Sequence, residues 1–503
     1  MKISLFSTND AGGAGKAALR LNRSLNIAGE NSTLFVKWKN AESANVMQLN
    51  SAEIVNRVFD KTVIKHFFNN VYEGNTICSA MYPSVGFNYL TLLRDTNIVN
   101  LHWISTFVSV EAIAKIHQMG KPIVWTLHDQ NPMTGGCHYT HGCEKYKIDC
   151  SDCPQLKENQ YNITKSMLET KIKYLPKDII IVTPSRWMAD CARESTVFRS
   201  NRIEVIPNSI ETELYKPMSK TYAKMQLDIP VTAKVILFGA YDLKEKRKGL
   251  EQLIQAIQYL MQDTEGRKLI EDKQLYILTF GQPSTLLTQL GIPYKTLSYI
   301  HEDERLALAY SAADVLALPS LEDNLPNLIL ESMACGTPVV AFKTGGMPDI
   351  IKDGDNGFLV PLNDAKGFAT QIMAVFSGPP MNDNCRRLIV DHYRLDIQAS
   401  RYQQLFAEIA ELTTKAPKQK HIPYIFAESA SVMMPLLCET AVELQAEHDA
   451  LKQECDALRQ KQDMLITCKN NLEAELQGVY RSKSWKITKP LREVISAMRR
   501  FKQ

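Results

Sequence analysis

Residues 310–364 read YSAADVLALPSLEDNLPNLILESMACGTPVVAFKTGGMPDIIKDGDNGFLVPLND. Two short apolar runs in this stretch, ADVLALPS and TPVVAF, each lead into a helix-like sequence. Continuous apolar runs that alternate with helices are typical of a parallel β-sheet covered on both faces. The stretch therefore predicts a doubly wound α/β domain, in which a ligand binds at the carboxyl ends of the strands.

The same alternation extends over most of the 503 residues. It is interrupted at 202–217, RIEVIPNSIETELYKP, where two prolines and an Asn-Ser pair indicate a linker. We therefore expect two doubly wound domains in tandem. The apolar runs are KISLFST, NSTLFVKW, TNIVNLHWI, KPIVWTLHD and KDIIIVTPS before the linker, and AKVILFGA, KQLYILTFG, ADVLALPS and TPVVAF after it.

A glycine-rich turn, AGGAGKAALRL at 11–21, follows the first apolar run. A P-loop is excluded, because Asp10 stands where its first glycine belongs and Ala17 replaces the hydroxyl that would hold magnesium. The dinucleotide fingerprint fits, but Lys37 and Lys39 stand where an acid would hold the ribose, which argues against a nicotinamide dinucleotide. Two interpretations remain: the turn binds an anion at a helix N-terminus, or its glycines only allow tight packing.

Composition and charge exclude several classes of protein. With 45% hydrophobic and 22% charged residues, the chain resembles an ordinary soluble protein. It has no apolar run of the roughly 18 residues that span a bilayer and no secretory signal, so we expect a cytoplasmic protein. The net charge is +3, but residues 479–503 carry eight Lys or Arg and one acid, a net +7 that leaves −4 for the rest. Nucleic acid is therefore not an expected partner.

Specific motifs then identify a family. Residues 310–364, VIPNSIETELYKP at 205–217 and FGAYDLKEKRKGLEQLIQAI at 238–257 closely resemble the donor domain and interdomain crossing of the retaining glycosyltransferases of family 4. The glycine turn matches that family's amino-terminal turn, so the resemblance covers roughly residues 1–412. It implies the GT-B fold, in which two doubly wound domains face a cleft, and sugar transfer from a nucleotide-sugar donor. Nucleotide-sugar epimerases share the fold, but these motifs are more similar to those of transferases.

The resemblance also implies the donor site. The family's two glutamates, separated by seven residues, correspond here to Asp323 and Glu331, with aspartate replacing the first. By resemblance, Asp323 faces the donor sugar and Glu331 faces the ribose, whose diol suits a bidentate carboxylate. Lys248, with Arg247 as a second cation, balances the charge that develops on the leaving diphosphate. The remaining donor contacts are backbone amides of Asn324 and Leu325, at the start of a helix, and the glycine turn at Gly13 and Gly15.

Two histidines follow strands of the first domain. The resemblance identifies His128, in TLHD, with the family's catalytic-site histidine near the donor sugar, and His102, in NLHWI, follows the preceding strand. A structural role is the alternative for each. Many relatives also carry an arginine where this chain has Ala240, and Arg247, Lys246 or Lys244 is expected to compensate. The resemblance implies no side-chain nucleophile, no catalytic metal and no required cofactor.

The segment GGCHYTHGCEKYKIDCSDCPQL at 135–156 concentrates four thiols and two histidines. Four cysteines that include a Cys-x-x-Cys pair are able to enclose a structural zinc ion, although the first two are spaced more widely than in a zinc ribbon. Reduced thiols or a redox pair are the alternatives. The candidate ligands are Cys137, Cys143, Cys150 and Cys153.

A leucine repeat and a basic tail end the chain. Five leucines recur at every seventh position, which predicts a coiled coil that allows self-association. The matching heptad position, four residues after each of the first four leucines, is polar, so the association is expected to be weak. The tail, YRSKSWKITKPLREVISAMRR, resembles a motif that follows coiled coils in bacterial polysaccharide glycosyltransferases. Its basic amphipathic helix, entered at Trp485, suits an anionic membrane surface, with a solvated tail or a partner-binding helix as the alternative. The leucines are Leu444, Leu451, Leu458, Leu465 and Leu472.

These patterns together predict six segments and one function. We expect a glycosyltransferase that moves a sugar from a nucleotide-sugar donor to a lipid-linked saccharide at the inner face of the cytoplasmic membrane; a non-catalytic scaffold acting through its coiled coil is the alternative. The predicted segments are an acceptor-side domain (1–205), a donor domain (206–395), a closing helical segment (396–412), a linker (413–430), a coiled coil (431–478) and a basic tail (479–503).

Overall fold

The computed structural model describes residues 1–49, 61–62, 64–81, 87–159, 162–240, 245–281, 285–297, 302–413, 426–482 and 488–493. The chain divides into two compact units, Met1–Leu436 and Leu437–Gln503. The first unit contains two lobes, each built on a parallel sheet, and the second contains most of one long helix.

The first lobe is built on a seven-stranded parallel sheet. Its strands are β1 (Lys2–Asn9), β2 (Asn31–Trp38), β3 (Val46–Gln48), β4 (Ile98–Leu101), β5 (Ile123–Thr126), β6 (Ile180–Thr183) and β7 (Ile203–Val205). They lie in the order β3-β2-β1-β4-β5-β6-β7. The strand order reverses between β1 and β4, and this point opens a crevice at the carboxyl ends of the strands. The helices are α1 (Gly12–Ile27), α2 (Val110–Gln118), α3 (Ile163–Tyr174) and α4 (Arg186–Glu194).

The second lobe repeats this design with six parallel strands. They are β8 (Lys234–Gly239), β9 (Leu275–Phe280), β10 (Tyr294–Thr296), β11 (Val315–Leu318), β12 (Val339–Phe342) and β13 (Gly357–Val360), in the order β10-β9-β8-β11-β12-β13. All four residues of β11 and of β12 are buried, as expected for strands covered on both faces. The helices are α5 (Lys220–Gln226), α6 (Leu250–Gln262), α7 (Thr264–Glu271), α8 (Asp303–Ala312), α9 (Asn327–Ala334), α10 (Ala365–Ser377) and α11 (Asn382–His392).

A final helix of the first unit, α12 (Leu395–Thr413), returns from the second lobe to the first. Its Tyr402 and Phe406 are buried in the same apolar cluster as Ile3 and Leu5 of β1. The hydroxyl groups of Tyr402 and Thr126 share a hydrogen bond of 2.9 Å. The first lobe is therefore completed by residues that follow the second lobe in the sequence.

The long helix α13 (Phe426–Arg481) begins inside the segment predicted to be a linker. Four of the predicted heptad leucines, from Leu451 to Leu472, are exposed on it. Most of the basic tail, including Trp485, lies outside the described residues. Within the described part of the chain, no helix has both the length and the apolar character needed to cross a membrane.

Candidate active site

Asp323, which follows β11 and is only 6% exposed, lies at the contact between the two lobes. Its Oδ2 accepts hydrogen bonds from Lys248 Nζ at 2.7 Å and lies 2.9 Å from Arg247 Nη1. Burial by itself would raise the pKa of Asp323, but the charges of Lys248 and Arg247 outweigh burial and lower the pKa to about 2. The carboxylate is therefore ionised at neutral pH and is held by two cations.

Those two cations come from a short 3₁₀ turn, Lys246–Lys248, that precedes α6. The turn ends at Gly249, where φ is +76° and a Cβ atom would lie 1.9 Å from the carbonyl oxygen of Pro319. Only glycine fits there, so the backbone fixes the direction in which Lys248 leaves the turn. Arg247 is buried and also donates to Glu245 and to the carbonyl of Glu322. Lys248 is thus the more accessible cation, and Arg247 is partly structural.

Glu331, the second predicted carboxylate, lies on α9 and is also buried. Its Oε2 accepts from the hydroxyl of Tyr310 at 2.9 Å, and its Oε1 accepts from Arg20 Nη2 at 3.3 Å. Tyr310 belongs to the second lobe and Arg20 to α1 of the first. Glu331 therefore stands where the two lobes meet.

His128 lies at the end of β5 and is stacked on His102, with ring centroids 5.2 Å apart. His128 Nε2 and His102 Nδ1 share a hydrogen bond of 2.9 Å. Burial lowers the pKa of His128 to about 4, against a smaller opposing effect of Asp129. Burial and the neighbouring His128 also lower the pKa of His102 far below its usual value. Both rings are therefore neutral at pH 7, and His102 is a partner of His128.

Asn324 connects the loop that carries Asp323 to the end of β5, where His128 lies. Its Nδ2 donates to the carbonyls of Leu127 at 3.0 Å and His128 at 3.1 Å, and its Oδ1 accepts from Ser185. The helix predicted to begin at Asn324 and Leu325 instead begins at Asn327, because Pro326 occupies the N-cap. The amide of Asn324 donates to Asp323, and the Leu325 side chain is buried in the core of the second lobe. Asn324 therefore joins the lobes through its side chain.

The glycine turn at the start of α1 divides between the two interpretations of its sequence. A Cβ atom at Gly15 would lie 2.6 Å from Asn9 Oδ1, so this glycine allows the helix to pack tightly against β1. Around Gly13 there is open space, and its carbonyl accepts from Asn327 Nδ2 at 3.1 Å. Ala11, at the N-cap of α1, makes no side-chain hydrogen bond to the first turn, and that turn contains no acidic residue, which suits an anion at this end of the helix.

The structural zinc site of the cysteine segment stays a prediction. Cys137, Cys143, Cys150 and Cys153 do line one cavity, whose volume is about 20 Å³. Among the described residues, however, no group of three or more His, Cys, Asp or Glu side chains is placed to hold a metal ion. Cys150 Sγ accepts from the amide of Gly135 at 3.2 Å. The backbones of Cys137 and Cys78 form an isolated antiparallel bridge.

All eleven cysteines, each in the described part of the chain, are free thiols. Burial raises the pKa of Cys150 to about 11 and that of Cys137 further above its usual range. Burial therefore favours the neutral form of these two thiols.

Tyr139 is the clearest site residue that sequence reasoning missed. It lies inside the cysteine segment, and its hydroxyl donates to Asp323 Oδ1 at 3.2 Å across the cleft. The guanidinium of Arg247 lies 4.0 Å from the centre of its ring, within the range of a cation–π interaction. Next to it, Thr140 donates to Glu322 at 3.2 Å. Its position in the sequence could have indicated this role, because the cysteine segment directly follows the end of the strand that carries His128.

Two family models match the two lobes. Residues 11–214 match the model described as Glycosyltransferase Family 4, and residues 232–377 match the model described as Glycosyl transferases group 1. Each lobe is therefore similar to a domain of glycosyltransferases, and each model covers less than half of the chain.

Curated relatives are similar over parts of the chain. A D-inositol 3-phosphate glycosyltransferase of Corynebacterium aurimucosum is 29% identical over 230 residues, which are 43% of this chain and 52% of that protein. A putative colanic acid biosynthesis glycosyl transferase of Escherichia coli is 26% identical over 290 residues, 52% of this chain and 64% of that protein. The chain spans about half the length of the first curated relatives that it matches.

Solved structures share the fold. Sucrose-phosphate synthase from Thermosynechococcus elongatus superposes with a TM-score of 0.58 at 18% identity, over 82% of this chain and 100% of that one. Anabaena HepE in complex with UDP-glucose superposes with a TM-score of 0.55 at 15% identity, over 81% of this chain and 100% of that one. At such identities the likeness shows the fold alone: two parallel-sheet α/β domains in the GT-B arrangement.

Proposed function

We propose that this protein is a retaining glycosyltransferase that moves a sugar from a UDP- or GDP-linked donor to a glycan or lipid-linked acceptor in surface polysaccharide biosynthesis. The observation that carries the proposal is the convergence of one carboxylate, Asp323, and two cations, Lys248 and Arg247, within 2.9 Å in the interlobe cleft. The two cations suit the negative charge of a diphosphate, and the carboxylate suits the hydroxyl groups of the sugar linked to it.

The roles of the residues follow from their chemistry. Lys248 and Arg247 stabilise the negative charge that grows on the diphosphate as the glycosidic bond breaks. The Asp323 carboxylate accepts hydrogen bonds from sugar hydroxyls, and it does so over the whole neutral range because the pKa of Asp323 is about 2. Neutral His128 contacts the sugar from the other lobe, and Glu331 accepts from the ribose hydroxyls.

The chemical step needs no protein nucleophile. The acceptor hydroxyl attacks the anomeric carbon on the face from which the diphosphate leaves, and an oxygen of the leaving diphosphate takes the hydroxyl proton. The site residues come from both lobes, so closure of the cleft completes the site and excludes water.

Two similar proteins favour particular substrates. The Anabaena structure was solved with UDP-glucose, which favours a UDP-linked donor. The Escherichia coli relative is named for colanic acid biosynthesis, which favours a polysaccharide acceptor. We propose that the basic tail at 479–503 holds the protein at an anionic membrane surface, where lipid-linked acceptors lie, and that the coiled coil self-associates.

The test is release of nucleoside diphosphate from a panel of UDP- and GDP-sugars by the full chain. Lys248→Met is expected to lower kcat/KM on the order of 100-fold, because it removes one charged donor from the developing diphosphate. Lys268→Met is the matched control, since Lys268 is an exposed lysine of the same lobe, on α7. Equal activity of the two variants would contradict the site. A wild-type protein that neither binds nor turns over any donor would favour the scaffold alternative.

A further inference from the structure

Arg20 is a buried cation that lies between the lobes and was not part of the predicted site. Its side chain, on α1, is 4% exposed. Nε donates to Glu211 Oε2 at 2.7 Å, and Nη2 donates to Glu331 Oε1 at 3.3 Å. Glu211 belongs to the crossing segment and Glu331 to the second lobe. One guanidinium, on the first lobe, therefore contacts both the crossing segment and the second lobe.

The other terminal nitrogen of the Arg20 side chain makes no hydrogen bond to the described residues. This nitrogen, Nη1, is buried. Burial acts to lower the pKa of Arg20, but Glu211 and Glu331 outweigh it and raise the pKa, so the group stays charged. A buried charged N–H group without a partner costs free energy, and native proteins rarely keep one unless a ligand or water pairs with it.

The orientation of Glu331 depends on the same side chain. Tyr310 fixes one oxygen of Glu331 at 2.9 Å and Arg20 fixes the other, so the plane of the carboxylate is set from both lobes. A carboxylate recognises two neighbouring hydroxyl groups only when both of its oxygens are aimed correctly. Arg20 also lies seven residues after Gly13, on the face of α1 that meets α9.

We propose that Arg20 makes the donor site selective for ribose: it positions Glu331 for the 2′,3′-diol and pairs its free Nη1 with a ribose hydroxyl group. This rests on the proposed function, which makes Glu331 the ribose ligand. A residue that only ties the lobes together would weaken the binding of ribo- and deoxyribonucleotides equally. If Arg20 recognises the ribose, its substitution would change the ratio of the two affinities.

The experiment is calorimetric titration of the full-length protein with UDP, GDP and their 2′-deoxy forms. We expect the wild type to bind the ribonucleotide about 10- to 100-fold more tightly, as hydrogen bonds from charged groups typically provide. Arg20→Met, which keeps an unbranched side chain and removes every donor, should reduce that ratio to near one. Arg20→Lys, which keeps the charge and loses the planar fork, should restore only part of it.

Arg23→Met is the matched control. Arg23 lies one turn further along α1, 58% exposed, and reaches the same Glu211 at 3.7 Å. Its substitution should leave the ribose preference intact. A ribose preference that is unchanged in both Arg20 variants, with wild-type circular dichroism, would overturn this inference alone. A wild type that binds neither UDP nor GDP would overturn both this inference and the proposed function.

Discussion

The stacked imidazoles His102 and His128 determine one pH response of the fold. The pKa of His128 in the folded protein, about 4, lies below its ordinary value of 6.5 because of burial. Between these values the unfolded chain binds a proton that the folded chain does not. The free energy of unfolding is therefore expected to fall as the pH drops from about 6.5 towards 4, and His128 contributes fully only above this window.

The prediction is tested by urea unfolding at pH 7.5 and pH 5. His128→Asn should reduce the loss of stability between these two pH values by about 1–2 kcal/mol. Part of the loss remains in the variant, since burial also lowers the pKa of His102. His392→Asn changes an exposed histidine and serves as the control. If the two variants respond to pH alike, burial of His128 does not govern this response.

Single residues also show how far sequence reasoning could go in predicting the candidate site. Asp323, Glu331 and Lys248 could be predicted because each stands at a fixed spacing within a recognisable motif. Arg20 and Tyr139 could not, because their contacts with the carboxylates exist only when the lobes meet, more than 180 residues apart in sequence. The zinc site stays a prediction, because cysteine spacing does not say where buried sulfurs point.

Among the secondary-structure elements, α13 has an exposed stripe of leucines. Leu451, Leu458, Leu465 and Leu472 are each at least 60% exposed. With these at one heptad position, Glu447 and Glu454 would face Lys452 and Arg459 of a second, parallel copy. That charge pattern favours a parallel, in-register pair of helices. Burial of each leucine would stabilise it by roughly 1.5–3 kcal/mol.

A cysteine provides the test of this arrangement. Cys455 lies four residues after Leu451, at the other core position of the heptad repeat. A parallel in-register pair therefore brings it within disulfide distance of its equivalent in the second copy. Mild oxidation with oxidised glutathione should give a covalent dimer on a non-reducing gel. Cys468→Ser, which changes a position outside the seam, should still cross-link, whereas Cys455→Ser should not. Cross-linking of Cys455→Ser would exclude this register, and a monomer in sedimentation would exclude the coiled coil.

For the whole molecule, the alternation of apolar runs and helices was enough to predict two doubly wound lobes, and the structure confirms them. The sequence did not predict which lobe α12 completes. An apolar stripe shows that a helix has a buried face, but not which surface it meets. That surface is formed by β1 and its neighbours, about 400 residues earlier in the chain. Lys16 and Asp303, 2.7 Å apart, are a further contact between the lobes that no local pattern predicts.

The return of α12 predicts that a substitution at the end of the first unit destabilises its beginning. Phe406 is fully buried against β1 and β2, so Phe406→Ala should cost about 3–5 kcal/mol through lost burial and a cavity. Hydrogen exchange followed by mass spectrometry should then show faster exchange in β1 (Lys2–Asn9), while β8 (Lys234–Gly239) keeps its protection. Gln404→Ala, on the exposed face of the same helix, should change neither strand. Faster exchange in β8 to the same extent would mean that the two lobes unfold as one unit, and that α12 stabilises the whole first unit instead of the first lobe.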